Sequence, residues 1–236
     1  MTATAPVFTP SDLEAFHRQG LLRLSGLHGR AAMAAVRERI LGELARLKVW
    51  NKGRAAGGTL NALPPFQQIG RLSSMVKLDL HGALSTPDVH SAIRGLTGQA
   101  PLDEQGSQLL LSLPRQGHWS LNGLNWHVDI AAKPNDGIPG VQAFYLLDDV
   151  MPQGGATLAL ARSHRMPDEA TRSLRGALKS PGDVQAILRA GDTEIVEMSG
   201  KAGDVFLMDM RVLHTPSINA SKHLRMMATT RFLLRG

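Results

Sequence analysis

Cysteine is absent from the 236 residues. That single absence excludes disulfides, thiolate zinc sites, iron–sulfur clusters and cysteine nucleophiles together, so any metal must be held by histidine and carboxylate. Long apolar runs are also missing: no window approaches the roughly 18 consecutive apolar residues of a membrane span. Met1 to Pro10 lacks the basic stretch and apolar core of a secretory signal, and the expectation is a cytoplasmic chain with no membrane partner. Aromatic residues make up only 4%, too few for base-stacking platforms. Lys and Arg number 26 against 20 Asp and Glu, a formal charge of +6, but they cluster no further than pairs such as Arg37 and Arg39. No nucleic-acid partner is therefore expected. A mildly basic surface suits a small acidic molecule instead.

The first fifty residues predict helices. Ser11, with Glu14 three positions later, is a candidate capping box; Leu13, Phe16, Leu21, Leu22 and Leu24 follow, interrupted by Gly20. Over 30–49, apolar residues recur at Ala32, Val36, Ile40, Leu44 and Leu47, close to the period of an amphipathic helix. Asn51 to Gly70 is rich in Gly, Ala and Pro and predicts a long loop, of a length that compact domains use for lids. Arg54, Arg71 and Lys77 give that region cations for such a lid, or for a solvated loop. Thr86-Pro87-Asp88 marks the start of a short helix over 86–97.

Beyond Pro101 the texture changes to short apolar runs separated by Gly, Pro and Asn: 107–113, 124–130, 141–147, 156–161, 193–198, 204–213 and 224–234. Seven strand candidates spaced in this way predict a mainly β sandwich or barrel wrapped by N-terminal helices. The polar stretch 165–190 predicts a short helix around Asp183 to Leu188. The organisation expected is one domain over 1–236, helical to about residue 97, with a β core from about 105 to 235.

Metal chemistry reduces to the nine histidines. His127 has a carboxylate two residues on, Asp129, and on a strand those side chains share a face. Such a pair begins a two-histidine, one-carboxylate triad. His214 is the best third candidate. If 204–213 is a strand, Phe206, Met208, Met210, Val212 and His214 share a face, and His214 ends it just before Thr215-Pro216. Eleven residues later stands Arg225, whose planar fork suits a carboxylate. No acidic residue follows Asp209, so a ligand can supply that partner. Taken singly each piece has an ordinary explanation: a hydrogen-bonded pair, a structural salt bridge. Gln142 and Gln108 face the cavity or the opposite side by strand parity alone. His118, Trp119 and Trp126 line a pocket or pack. Met208, Met210, Met226 and Met227 read as adaptable core filler.

In combination these residues resemble the Fe(II)/2-oxoglutarate-dependent dioxygenases, and the flanking text resembles their phytanoyl-CoA dioxygenase-like branch. Trp126-His127-Val128-Asp129 is similar to its metal motif. Leu146-Leu147-Asp148-Asp149-Val150, Gly154-Gly155-Ala156-Thr157 and Ser163-His164 follow in its order. His214, Asn219, Ser221 and Arg225 match its H-x4-N-x-S-x3-R spacing, and Phe16 to Gly20 resembles its opening. The likeness runs over roughly residues 8 to 234. Arg162 stands where the branch commonly has glycine, and Pro216 where it often has Gly or Ser.

The resemblance implies a double-stranded β-helix, a jelly-roll or cupin-like barrel, holding Fe(II) through His127, Asp129 and His214. It implies 2-oxoglutarate and O2 as co-substrates, with Arg225 pairing the distal carboxylate. The assisting hydroxyl is Thr215, Ser217 or Thr157, and Gln142 is a further cofactor-binding candidate. His164 orders a loop. The activity implied is hydroxylation of an unactivated C–H bond in a small metabolite, acidic or amino-acid-like or a natural-product intermediate, with release of succinate and CO2. Asp129 supplies the carboxylate that related halogenases lack, which favours oxygenation. Desaturation or ring formation are variants of that chemistry, and a non-oxidative cupin-like metalloenzyme is the alternative that leaves Arg225 without a purpose.

Overall fold

Pro10 decides where the chain first becomes helical. Its fixed φ suits the first helical position, and Thr9 before it caps helix α1 (Pro10–Gln19). The Thr9 hydroxyl accepts from the Asp12 amide at 3.2 Å, while Asp12 Oδ2 accepts from the Thr9 amide at 2.9 Å. This capping box lies two residues ahead of the Ser11–Glu14 box expected from sequence. Gly20 closes α1 in the left-handed region, φ 81°, and a Cβ there would sit 2.5 Å from the His164 ring. The computed structural model describes residues 8–51, 54–55, 60, 62–133, 136–180 and 182–235.

Leu21–Leu24, expected to continue the helices, is strand β1. Helix α2 (Arg30–Arg46) buries Met33, Val36, Ile40 and Leu44; Met33 takes the first inward position and Ala32 is exposed. A small hairpin of β2 (Trp50–Asn51) and β3 (Arg54–Ala55) follows. The expected loop ends early, because Pro65 starts helix α3 (Pro65–Met75). Ser73 of α3 donates to the Leu109 carbonyl. Helices α4 (His81–Leu84) and α5 (Pro87–Thr97) complete the N-terminal part.

The remaining strands are β4 (Asp103–Glu104), β5 (Gln108–Ser112), β6 (Gly140–Leu146), β7 (Thr157–Ala161), β8 (Glu194–Glu197), β9 (Val205–Asp209), β10 (His214–Pro216) and β11 (Arg225–Leu233). A larger antiparallel sheet runs β1-β9-β6-β11, with β5 and β4 in succession along the far edge of β11. A smaller one runs β10-β7-β8. Among the described residues no strand pairing closes the two sheets into a barrel. The fold is the double-stranded β-helix, as two facing sheets.

Strand alternation divides the larger sheet's side chains between two cores. One face, with Val141, Ala143, Tyr145, Leu207 and Ala228, packs under the N-terminal helices. The other, with Phe144, Phe206, Met208 and Met227, meets Ala159 and Ala161 of the smaller sheet. The smaller sheet's outer face is covered as well. Leu158 and Leu160 pack against Leu174 and Leu178 of helix α6 (Asp168–Lys179) and Leu188 of α7 (Val184–Ala190). Helix α7 falls where a short helix is expected, and Asp183 caps it; α6 is an addition, so helices cover both sides of the sheets and not the N-terminal side alone.

Candidate metal centre

His127 and Asp129 do not lie on a strand. Of the expected strand 124–130, only His127 pairs, as an isolated bridge with His214. Each amide donates to the other's carbonyl, at 3.0 and 2.9 Å, and the amides of Asp129 and Ile130 share the Met210 carbonyl. Trp126 and Trp119 pack outside the smaller sheet, and His118 is exposed. The expected strand 204–213 also breaks. Chain direction changes after Asp209, where Arg211 folds back on the Asp209 carboxylate, and His214 opens β10 in the other sheet.

The ligand side chains still converge, because the bridge and the Met210 carbonyl hold the two segments together. One donor atom each from His127, Asp129 and His214 all lie within 4.8 Å of one another. Both imidazoles are oriented by the backbone. His127 Nδ1 lies 3.1 Å from the Asn125 carbonyl and His214 Nδ1 3.1 Å from that of Val212. A carbonyl only accepts, so Nδ1 carries the proton and Nε2 keeps its lone pair for a metal. Burial, then the neighbouring His127, push the His214 imidazole down to about 4. It is neutral, as a ligand must be.

Arg225 is the least satisfied charge nearby. It is 2% exposed, donates from one terminal nitrogen to the Leu110 carbonyl at 2.8 Å, and leaves Nε and the other terminal nitrogen with no partner. Burial alone pushes its guanidinium down to about 9. The motif before it acts as a brace: Asn219 donates to the carbonyls of Ser112 and His223, and Ser221 donates to Asn219. That fixes the turn from which β11 begins at Arg225, paired with Ser112. Gly155 belongs to the same brace, since a Cβ on it would lie 2.8 Å from the Asn219 side chain.

Between the sheets a cavity of about 180 Å³ is lined by His127, His214, Arg225, Gln108, Gln142 and Thr157, among others. Ile69, Leu110, Phe144 and Pro216 give it apolar walls. Gln142 Oε1 is buried with no partner. His214 and Pro216 face the cavity, so alternation turns Thr215 away. Ser217 lies outside the lining, its hydroxyl donating to the Ala156 carbonyl at 2.7 Å. Arg71 and Lys77 are exposed and outside the lining, and the Arg54 side chain lies outside the described set. His164 Nε2 meets the His17 carbonyl at 3.1 Å, tying its loop to α1. Arg162 has φ 72°, which is why glycine suits that position.

The charged cavity residue that the sequence pattern did not single out is Arg231. Arg231 grips Asp129 with two bonds, Nε to Oδ2 at 3.1 Å and a terminal nitrogen to Oδ1 at 3.0 Å. It lines the same cavity, and parity with Arg225 along β11 was the signal that places it there.

Two facing sheets with a His–Asp–His cluster between them, beside a buried arginine, define a non-haem metal-dependent oxygenase architecture. The phytanoyl-CoA dioxygenase (PhyH) family model matches residues 16–227, and the chain belongs to that family of Fe(II)/2-oxoglutarate-dependent dioxygenases. Solved structures with this fold include the carbocyclase SnoK from nogalamycin biosynthesis, 18% identical, covering 96% of this chain and 84% of that one at a TM-score of 0.61. The epimerase SnoN, in complex with Fe3+, alpha-ketoglutarate and nogalamycin RO, is 20% identical over 94% and 82%, TM-score 0.59. EctD from S. alaskensis, with 2-oxoglutarate and 5-hydroxyectoine, is 19% identical over 99% and 78%, TM-score 0.61. No curated protein sequence matches the chain. Among the described residues no helix is long and apolar enough to cross a membrane.

Proposed function

We propose that the protein is a cytoplasmic Fe(II)- and 2-oxoglutarate-dependent oxygenase that hydroxylates an unactivated C–H bond of a small metabolite, with helices and sheets acting as one catalytic domain. The observation that carries this reading is Arg225: a buried guanidinium without a counter-ion, on the wall of the cavity that holds the His–Asp–His cluster. Burying an unpaired charge is costly, so the site is built for an anion that arrives with the reaction. A cupin-like metalloenzyme without an anionic co-substrate leaves that charge unexplained.

The donor set fits iron, two neutral imidazoles and one carboxylate with no thiolate. His127, Asp129 and His214 would hold Fe(II), which supplies the activation of O2 and the oxidative decarboxylation of the 2-oxo acid to succinate and CO2. The protein's own work is positional. Asn125 and Val212 carbonyls fix the imidazole tautomers, Arg225 takes the distal carboxylate of 2-oxoglutarate, and Gln142 and Thr157 offer polar atoms to the same ligand. Ile69, Leu110, Phe144 and Pro216 exclude water from the substrate's C–H face.

Asp129→Ala should abolish metal binding and substrate-free conversion of 2-oxoglutarate to succinate together, read by calorimetry and by succinate formation. Undiminished turnover in that variant would sink the assignment. Product mass separates the outcomes: a gain of one oxygen marks hydroxylation, a loss of two hydrogens desaturation or ring closure.

A further inference from the structure

Arg231 is held in place by the carboxylate that also serves the metal, and that double duty has a consequence for substrate charge. Its partner Asp129 is 9% exposed at the side chain and Arg231 itself 30%, so Arg231 reaches from the interior toward the open end of the cavity. Arg225 and Arg231 stand six residues apart on one face of β11, about 20 Å at strand rise. Register puts Gln142 opposite Arg231, and both Gln108 and Phe144 opposite Thr229, all of them lining residues. Arg225 marks the deep end and Arg231 the other.

The charges then count simply. No acidic side chain lines the cavity among the described residues, and Asp129 on its edge offsets one of the two guanidiniums. A divalent ion arriving with a dianionic 2-oxo acid adds nothing net. One positive charge is therefore left over. With Arg225 matched to the distal carboxylate and Asp129 shared with a metal, the surplus sits on Arg231. Unmatched charge in a partly desolvated site favours a ligand of opposite sign.

We propose that Arg231 recognises a carboxylate on the substrate, so that the enzyme acts on small monoanionic acids with an apolar body. This rests on the oxygenase reading above. Arg231 shares two hydrogen bonds with Asp129, so an acid group on the same guanidinium is held beside the metal ligands. The oxidised carbon is thus within a few bonds of the acid. Ile69, Leu110, Phe144 and Pro216 receive the remainder of the molecule.

The test uses the full chain loaded with Mn(II) and N-oxalylglycine, which report binding without turnover. Phenylacetate, 3-phenylpropanoate, 3-methylbutanoate and N-acetyl-leucine are each compared with the matching primary amide by calorimetry. In the wild type at least one acid should bind about tenfold or more tightly than its amide. Arg231→Gln should bring that ratio to about one, and Arg231→Lys, which keeps the charge and loses the fork, should retain part of it. Because Arg231 also holds Asp129, each variant is first titrated with Mn(II) and N-oxalylglycine and then compared with both at saturation, so that the acid-to-amide ratio is read on loaded sites whatever the change in metal affinity. If no acid exceeds its amide, or if Arg231→Gln preserves the preference, the proposal falls and Arg231 serves only to orient Asp129. Failure of the wild type to bind N-oxalylglycine would overturn the oxygenase reading itself, and this proposal with it.

Discussion

Among the described residues two arginines lie deep in the protein, in opposite circumstances. Arg211, 8% exposed, sits at the turn between β9 and β10 and is fully engaged. It meets both Asp209 oxygens, at 3.0 and 2.7 Å, and donates to the carbonyls of Lys133 and Asp136 at 3.1 Å. Arg225, more deeply buried, has one carbonyl. The first charge is part of the architecture: it shapes the turn that carries the strand from one sheet to the other and offers the Met210 carbonyl to Asp129. The second is a cost the folded chain bears until a ligand arrives. A buried charge with its partner in the sequence reads as structure, and one without reads as a binding site.

The contrast can be broken most forcefully at Asp209. Asp209→Ala leaves Arg211 buried without its counter-ion and should cost about 3–5 kcal/mol, lowering Tm by roughly 10 °C. Weak metal binding should accompany the loss, because the turn supports Asp129. A third buried base sharpens the comparison through pH. The His214 imidazole is down at about 4 against an ordinary 6.5, because burial disfavours its charged form. Unfolded, it takes up a proton below about 6.5; folded, it stays neutral until about 4. Its contribution to the metal-free protein is therefore complete above about pH 6.5 and is lost as pH falls toward 4, roughly 3 kcal/mol in all. Imidazole NMR should show His214 neutral at about pH 5.5, and a midpoint near 6.5 in the folded chain would refute this. The smallest effect has the opposite sign. Arg225→Met removes an uncompensated charge and should leave metal-free stability unchanged or raised by about 1 kcal/mol, while 2-oxoglutarate binding, followed by calorimetry, is lost. Equal destabilisation by Asp209→Ala and Arg225→Met would erase the distinction.

Much of the site was legible because its chemistry has few substitutes. Without cysteine, only histidine and carboxylate remained for a metal, and His127, Asp129, His214 and Arg225 carried the spacing of a known family. The first pair converges by another route than strand alternation: 124–130 is not a strand, and a single bridge with two amides on one carbonyl does what a strand was expected to do. Local pattern does not reveal such tertiary attachments. Nor did it show that β9 ends at Asp209, since Met210, Val212 and Leu213 continue the apolar run while the buried ion pair turns the chain. Helix α6 was hidden by its strongly polar outer face, only Leu174 and Leu178 being buried. Arg231 escaped notice because its meaning depends on the register that places it opposite Gln142, which parity within one strand suggests but does not fix.

The light backbone attachment of the ligand-bearing segment has a consequence in time as well as space. The main chain of residues 127–130 is joined to the sheets through the His127–His214 bridge and the Met210 carbonyl, and Arg231 adds two side-chain bonds to Asp129. Segments held by few backbone bonds open at a fraction of the free energy of global unfolding. An ion that joins His127 and Asp129 to His214 binds only the closed form, so its binding free energy is added to that of opening. Metal release and the exposure of these amides to solvent hydrogen are then one event. The exchange rate at His127 and Asp129 becomes a clock for how long the centre stays assembled.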